Sequence, residues 1–144
     1  MGIVPNTFQT FNVYVDRAME LLTDPELRVL IFATRHILGW QSNITNRTAE
    51  ISISMFVNGY TDKHDNYYGG CGCSRNTVIQ ATESLVQFGF FDRVGKATPR
   101  GQRWQLSDRD IDWAALEARR NEKQAKNKDR VKKATAAAQE QNGS

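Results

Sequence analysis

The chain has 144 residues, 40% of them hydrophobic and 24% charged. That composition fits one globular domain with room for a tail, and excludes a fibrous or wholly disordered protein. The longest apolar run, Val29-Leu30-Ile31-Phe32-Ala33, falls far short of the roughly 20 residues a membrane span needs. Residues 1–10 lack the basic start and apolar stretch of a secretory signal, so a cytoplasmic protein with no membrane partner is expected.

Charge is unevenly spread. Residues 1–90 carry six Lys/Arg against eight Asp/Glu, and residues 91–144 carry thirteen against eight. The net charges are −2 and +5, an asymmetry that favours an anionic partner for the C-terminal part, with nucleic acid first among them. Only Cys71 and Cys73 could form a disulfide, and a bridge between them would close a very small, strained ring.

In chain order, Val15, Met19 and Leu22 predict a short first helix. Thr23-Asp24-Pro25-Glu26 is a capping box with Pro in the first turn. It opens a helix whose apolar face is Leu27, Leu30, Ile31, Thr34 and Leu38, closed by Gly39. Residues 50–52 read as a short strand. Ser52 or Ser54 then caps a brief helix through Phe56 and Val57, stopped by Asn58-Gly59. Residues 60–73 read as a loop rich in Gly, Asp, Asn and Tyr. Ser74 caps the next helix, whose inner face is Val78, Ala81, Leu85 and Phe88, and Gly89 ends it. Strand-like runs at 90–94 and 102–106 flank a seven-residue turn, 95–101. Ser107 is expected to cap a last helix through Leu116. The domain is placed at 1–116, followed at 117–144 by a polar, basic, Ala/Lys-rich tail that is at best a marginal helix when alone.

This order is the plan of a winged helix-turn-helix, a mainly α fold with a small β-hairpin (α+β). In the helix after Ser74, the face opposite Val78 and Leu85 holds Asn76, Gln80, Glu83 and Gln87, with Ser74, Arg75 and Thr77 in the first turn. Asn and Gln can pair with adenine, Arg with guanine, and Ser or Thr with phosphate or base. Arg93, Lys96, Arg100 and Arg103 cluster on the hairpin, where they can meet phosphates or enter a minor groove. The candidate DNA-binding set is therefore Ser74, Arg75, Asn76, Thr77, Gln80, Arg93, Lys96, Arg100 and Arg103. A solvated polar helix and a solvated basic hairpin are the plainer alternatives.

The same residues carry a resemblance. Pro5-Asn6 with Phe8, then Met19, Leu22-Thr23, Glu26, Arg35, Gly39-Trp40 and Ile51-Ser52 are joined by Gly70-Cys71-Gly72-Cys73-Ser74-Arg75-Asn76-Thr77-Val78. Over about residues 5–106 this pattern resembles the N-terminal domain of phage replication protein O and related phage replisome organisers. The resemblance implies a winged helix that binds double-stranded DNA in replication initiation on a phage, plasmid or similar element. It also implies contact with replication proteins such as a helicase or its loader. By position, Ser74, Arg75, Asn76, Thr77 and Gln80 would face DNA. The segment 60–70 is longer than in the simplest members. A transcriptional regulator would use the same surface, and a winged-helix protein-interaction module is the alternative from another class. A homodimer is left open, with no heptad pattern for a coiled coil.

His64, Cys71 and Cys73 offer three zinc-type ligands, with Asp62 or Asp65 to complete four, but their spacing lacks the paired pattern of a structural site. No metal and no cofactor are expected. No nucleotide-binding loop, zinc-protease or nucleophile-elbow motif is present, so an enzyme is not expected.

Overall fold

A computed structural model describes residues 6–40 and 46–142; Pro5, part of the resemblance, lies outside them. The fold is α+β, about 55% helix and 17% strand. The chain divides into two compact units, residues 1–111 and 112–144.

The first helix, α1, is a π-helical turn, Tyr14–Ala18, running into Met19–Leu21. It buries Tyr14, Ala18 and Leu21, whereas Val15 and Met19 are exposed. Leu22 is buried as expected, but the rest of the buried face, Tyr14, Ala18 and Leu21, lies one position before the expected Val15 and Met19 at the same helical spacing. Periodicity therefore leaves the rotation open, and the packing of Tyr14 on Phe11 and Phe90 sets it. Tyr14 is fully buried and donates its hydroxyl to the Ser107 carbonyl at 2.6 Å. Its ring meets Phe11 edge-on at 5.2 Å and Phe90 at 5.7 Å.

Helix α2, Asp24–Leu38, begins at the expected capping box. The Glu26 amide donates to Thr23 Oγ1 at 3.4 Å, and the Thr23 amide donates to Glu26 Oε1 at 2.9 Å. The buried face is Val29, Leu30, Ala33, Thr34, Ile37 and Leu38. Leu27 is only half-buried and Ile31 is exposed, which corrects the expected stripe. Apolar residues cover more than half of this helix's circumference, so periodicity alone leaves its rotation open. Its packing partners decide it. Helix α2 packs mainly on the later helix α4, Arg75–Gln87, and to a lesser extent on strand β1, Thr48–Ile51.

Helix α3, Ile53–Asn58, is capped by Ser52, whose Oγ accepts from the Met55 amide at 3.1 Å. The segment expected to be all loop contains a two-residue ladder, β2 (Tyr60–Thr61) and β3 (Tyr67–Tyr68), with Tyr60 opposite Tyr68. Helix α4 buries Val78, Ala81, Thr82 and Leu85. Gly89 follows at φ +88°, and a Cβ there would run into the Asp110 carbonyl. Only glycine turns the chain this sharply in that space.

Strands β4 (Phe91–Thr98) and β5 (Gly101–Leu106) form the hairpin, and β1 pairs antiparallel with β5, giving the order β1-β5-β4. The strands run further than expected. Pairing is irregular between Val94 and Thr98 and resumes at Thr98–Gly101, so Pro99 and Arg100 alone make the connection. Gly101, at φ +116°, lies so close to Ser52 that a Cβ would sit 2.5 Å from its amide nitrogen. The core of this unit is Tyr14, Phe56, Phe90, Phe91, Leu30, Ile37, Ile51 and Leu85.

In the second unit the last helix, α5, spans Trp113–Asn142. Asp112, not Ser107, is its cap, with Oδ1 accepting from the Ala115 amide at 3.0 Å. Ser107 Oγ instead accepts from the Arg109 and Asp110 amides, at 3.4 and 3.2 Å.

The register of α2 can be tested directly. Leu30→Ala should cost about 2–5 kcal/mol, and Ile31→Ala a small fraction of that, as read from urea unfolding midpoints.

Candidate nucleic-acid interface

Helix α4 owes its start to Ser74. The Ser74 Oγ accepts from the Thr77 amide at 3.4 Å, and the Ser74 hydroxyl donates to Thr77 Oγ1 at 3.0 Å. Both side chains are therefore committed to the first turn, while Arg75, Asn76 and Gln80 are exposed. Glu83 and Gln87 continue that exposed face along the helix. Thr77 and Gln80 border a shallow cleft of about 220 Å³, whose other wall is Thr23, Pro25 and Glu26. The N-terminal turn of α2 thus shares a surface with α4. The capping box is legible in the sequence, but nothing in it tells which surface the box will join.

On the hairpin the four basic residues have different situations. Lys96 and Arg100 are exposed near the tip, where the Arg100 amide donates to Thr98 Oγ1 at 3.2 Å and braces the turn. Arg93 is exposed on β4 with its guanidinium 5.4 Å from the Trp104 ring centre. Arg103 points across the sheet. It is bonded to Glu50 Oε1 at 3.0 Å and to Thr48 Oγ1 at 3.2 Å, so its charge is spent on tying β5 to β1. Arg47, which no sequence pattern singles out, pairs with Asp108 at 3.1 Å and lies 4.7 Å from the centre of the Phe11 ring.

The 59–74 connector between α3 and α4 is held by aromatic contacts whose partners the sequence does not specify. Tyr60 and Tyr68 stack at 5.0 Å, and Arg35 of α2 lies over Tyr68 at 5.4 Å and Trp40 at 5.5 Å. Asp62 closes the tip: its Oδ1 accepts from the His64 and Asn66 amides at 2.8 and 3.0 Å. Those bonds, the Asn66 amide's foremost, hold its pKa below the usual carboxylate value. A groove of about 800 Å³ opens between this hairpin and α2, lined by Leu27, Ile31, Phe32, Arg35, Tyr60 and Tyr68 among others. The only signal in the sequence is the density of tyrosines, which carries no information on a partner across the chain.

Among the described residues no group of three His, Cys, Asp or Glu side chains is placed to hold a metal ion. Cys71 is buried, and burial pushes its thiol pKa up. No helix among the described residues is long and apolar enough to cross a membrane. No family model, curated protein or solved structure matches this chain.

His36 joins α2 to the connector, meeting Tyr60 edge-on at 4.7 Å. Burial, and secondarily the Arg35 charge, hold its pKa below the ordinary 6.5. The folded protein therefore resists a proton that the unfolded chain accepts. Stability is full above pH 6.5 and declines as pH falls through that value toward the lowered folded pKa. His36→Gln should flatten this part of the profile, seen by comparing urea midpoints at about pH 5.5 and about pH 7.5.

Proposed function

We propose that the first unit is a winged helix-turn-helix that binds double-stranded DNA, with α4 as the recognition helix and β4–β5 as the wing. The element order supports this reading: α2, β1, α3, α4, then a hairpin whose second strand pairs with β1. The observation that carries it is the division of α4. One face is sealed by Val78, Ala81 and Leu85, and the other presents Arg75, Asn76 and Gln80 to solvent. These are groups able to read base edges in a major groove. Lys96, Arg100 and Arg93 supply phosphate contacts from the wing, and Arg103 acts by positioning it.

The role we assign is replication initiation on a phage, plasmid or similar element, with replication proteins as further partners. It follows from the resemblance of the Gly70–Val78 stretch to that of phage replisome organisers. Retention of duplexes from a random pool at two salt concentrations, followed by sequencing, tests the reading. An enriched motif with salt-weakened binding supports it, and no retention at either salt overturns it. A footprint then separates repeated origin sites from a promoter, the second of which would make the protein a regulator.

Asn76→Ala should lose about 1–3 kcal/mol of discrimination at one base position. Lys96→Ala should weaken binding to every sequence and lower the salt slope by about one. Arg103→Gln should leave both the motif and the slope unchanged, since its guanidinium is held by Glu50 and Thr48.

A further inference from the structure

Helix α5 is exposed on every side from Asn121 to Gln139, and it has no apolar stripe. Val131 is its one large apolar residue beyond Leu116, and it is 65% exposed. Burial against an apolar partner therefore does not explain a helix of 30 residues. Its charge, by contrast, is ordered. Between 117 and 133 there are eight Lys/Arg and three Asp/Glu, the acids being Glu117, Glu122 and Asp129. Five of the cations, Arg119, Lys123, Lys126, Arg130 and Lys133, recur at intervals of four, three, four and three. At 3.6 residues per turn they fall within about 80° of one another and extend about 21 Å along the axis. Glu122 and Asp129 flank one edge of this stripe. Glu122 pairs with Lys126 at 3.9 Å and Asp129 with Lys133 at 3.2 Å, both at the i,i+4 spacing that supports an exposed helix. Lys123 and Arg130 make no ion pair with a carboxylate among the described residues.

We infer that this stripe is a second contact to duplex DNA, lying along the phosphate backbone and adding affinity without sequence preference. The inference rests on the DNA-binding reading of the first unit. Over about 21 Å one DNA strand presents about six phosphates, a linear array of fixed charge that five in-line cations complement. An anionic membrane is the poorer match, because an interfacial helix needs an apolar face to bury. The face opposite the stripe carries Asn121, Gln124, Lys128, Lys132 and Thr135. Packing as a coiled coil would need apolar positions that the helix lacks.

The test uses the full chain with two substitutions in each arm, so that equal charge is removed. Lys123→Gln with Arg130→Gln removes two of the five stripe cations. Lys128→Gln with Lys132→Gln removes the same charge from the far face. Gln is close to Lys and Arg in helix propensity, and circular dichroism would verify equal helix content. Binding to duplex DNA is titrated over a series of salt concentrations. The stripe pair should lower the salt slope by about 1.8, or about 0.9 for each phosphate left without its cation, and leave the selected motif unchanged. The far-face pair should move the slope by much less. Equal effects from the two pairs would overturn the inference while leaving recognition by α4 standing, so long as Asn76→Ala still alters the motif. Loss of binding to phosphatidylserine vesicles by the stripe pair, with DNA binding untouched, would also overturn it in favour of a membrane. Absence of duplex binding by the unsubstituted chain would instead overturn the DNA reading itself.

Discussion

The first unit depends on the packing of α2 against α4. Helix α4 has few residues with which to hold itself in place. Val78, Ala81, Thr82 and Leu85 form its whole buried face, and they must find a surface of matching width. Helix α2 supplies that surface with Val29, Leu30, Ala33 and Ile37, all fully buried. Once the two faces are closed on each other, the rotation of α4 is set, and with it the outward direction of Arg75, Asn76 and Gln80. Close-packed interiors tolerate little adjustment, so this rotation is held by many small contacts rather than by any single bond. The cap at Ser74 and the stop at Gly89 only define where the helix begins and ends.

A second constraint ties the hairpin to the helices. Strand β1 pairs with β5 from Thr48–Gln105 to Ile51–Gln102, and the Trp104 indole N–H donates to the Ile51 carbonyl at 3.2 Å. The Arg103–Glu50 bond spans the same seam. An exposed ion pair of this kind contributes little stability, typically about 0–1 kcal/mol, but it holds one cation flat on the sheet and leaves Lys96 and Arg100 free toward the tip. Three other arginines of the first unit are structural in this sense. Arg35 is laid over aromatic rings, Arg47 over Phe11 and onto Asp108, and Arg28 donates to the Cys71 carbonyl at 3.4 Å. Counting basic residues therefore overstates the charge available to an anionic partner in residues 1–111. In the second unit the cations from Lys123 to Lys133 are exposed along the helix, and only Lys126 and Lys133 among them are in the ion pairs with Glu122 and Asp129.

Much of the fold is legible in the sequence because its punctuation is local. The box at Thr23–Glu26, the caps at Ser52 and Ser74, and the stops at Gly39, Gly59 and Gly89 each act within about one helical turn. They can be placed without knowing what lies across the chain. Apart from the cap of the last helix, expected at Ser107 and found at Asp112, the misplaced features are of another kind. Val15 and Met19 have the same spacing as the buried Tyr14 and Ala18, so periodicity alone does not choose between the two faces. Leu27 and Ile31 fit a core stripe because α2 is apolar on two faces. Residues 60–73 read as plain loop because a two-residue ladder has no periodicity. That ladder depends on Tyr60 stacking on Tyr68, and on Arg35 reaching the Tyr68 ring from a helix far back in the chain.

The candidate site divides along the same line. By itself the sequence determined which side chains α4 and the hairpin carry, and that Ser74 starts the one and Gly89 separates it from the other. It also determined the spacing of cations on α5, which follows from helix periodicity alone. Only the tertiary structure decided that Arg103 is held by Glu50 and Thr48, and that the α2 N-terminus borders the Thr77 and Gln80 cleft. The physical reason is range. Caps, turns and helical spacing are set by neighbours a few residues away, whereas the engagement of a charged side chain depends on partners that only the folded chain brings within about 3 Å.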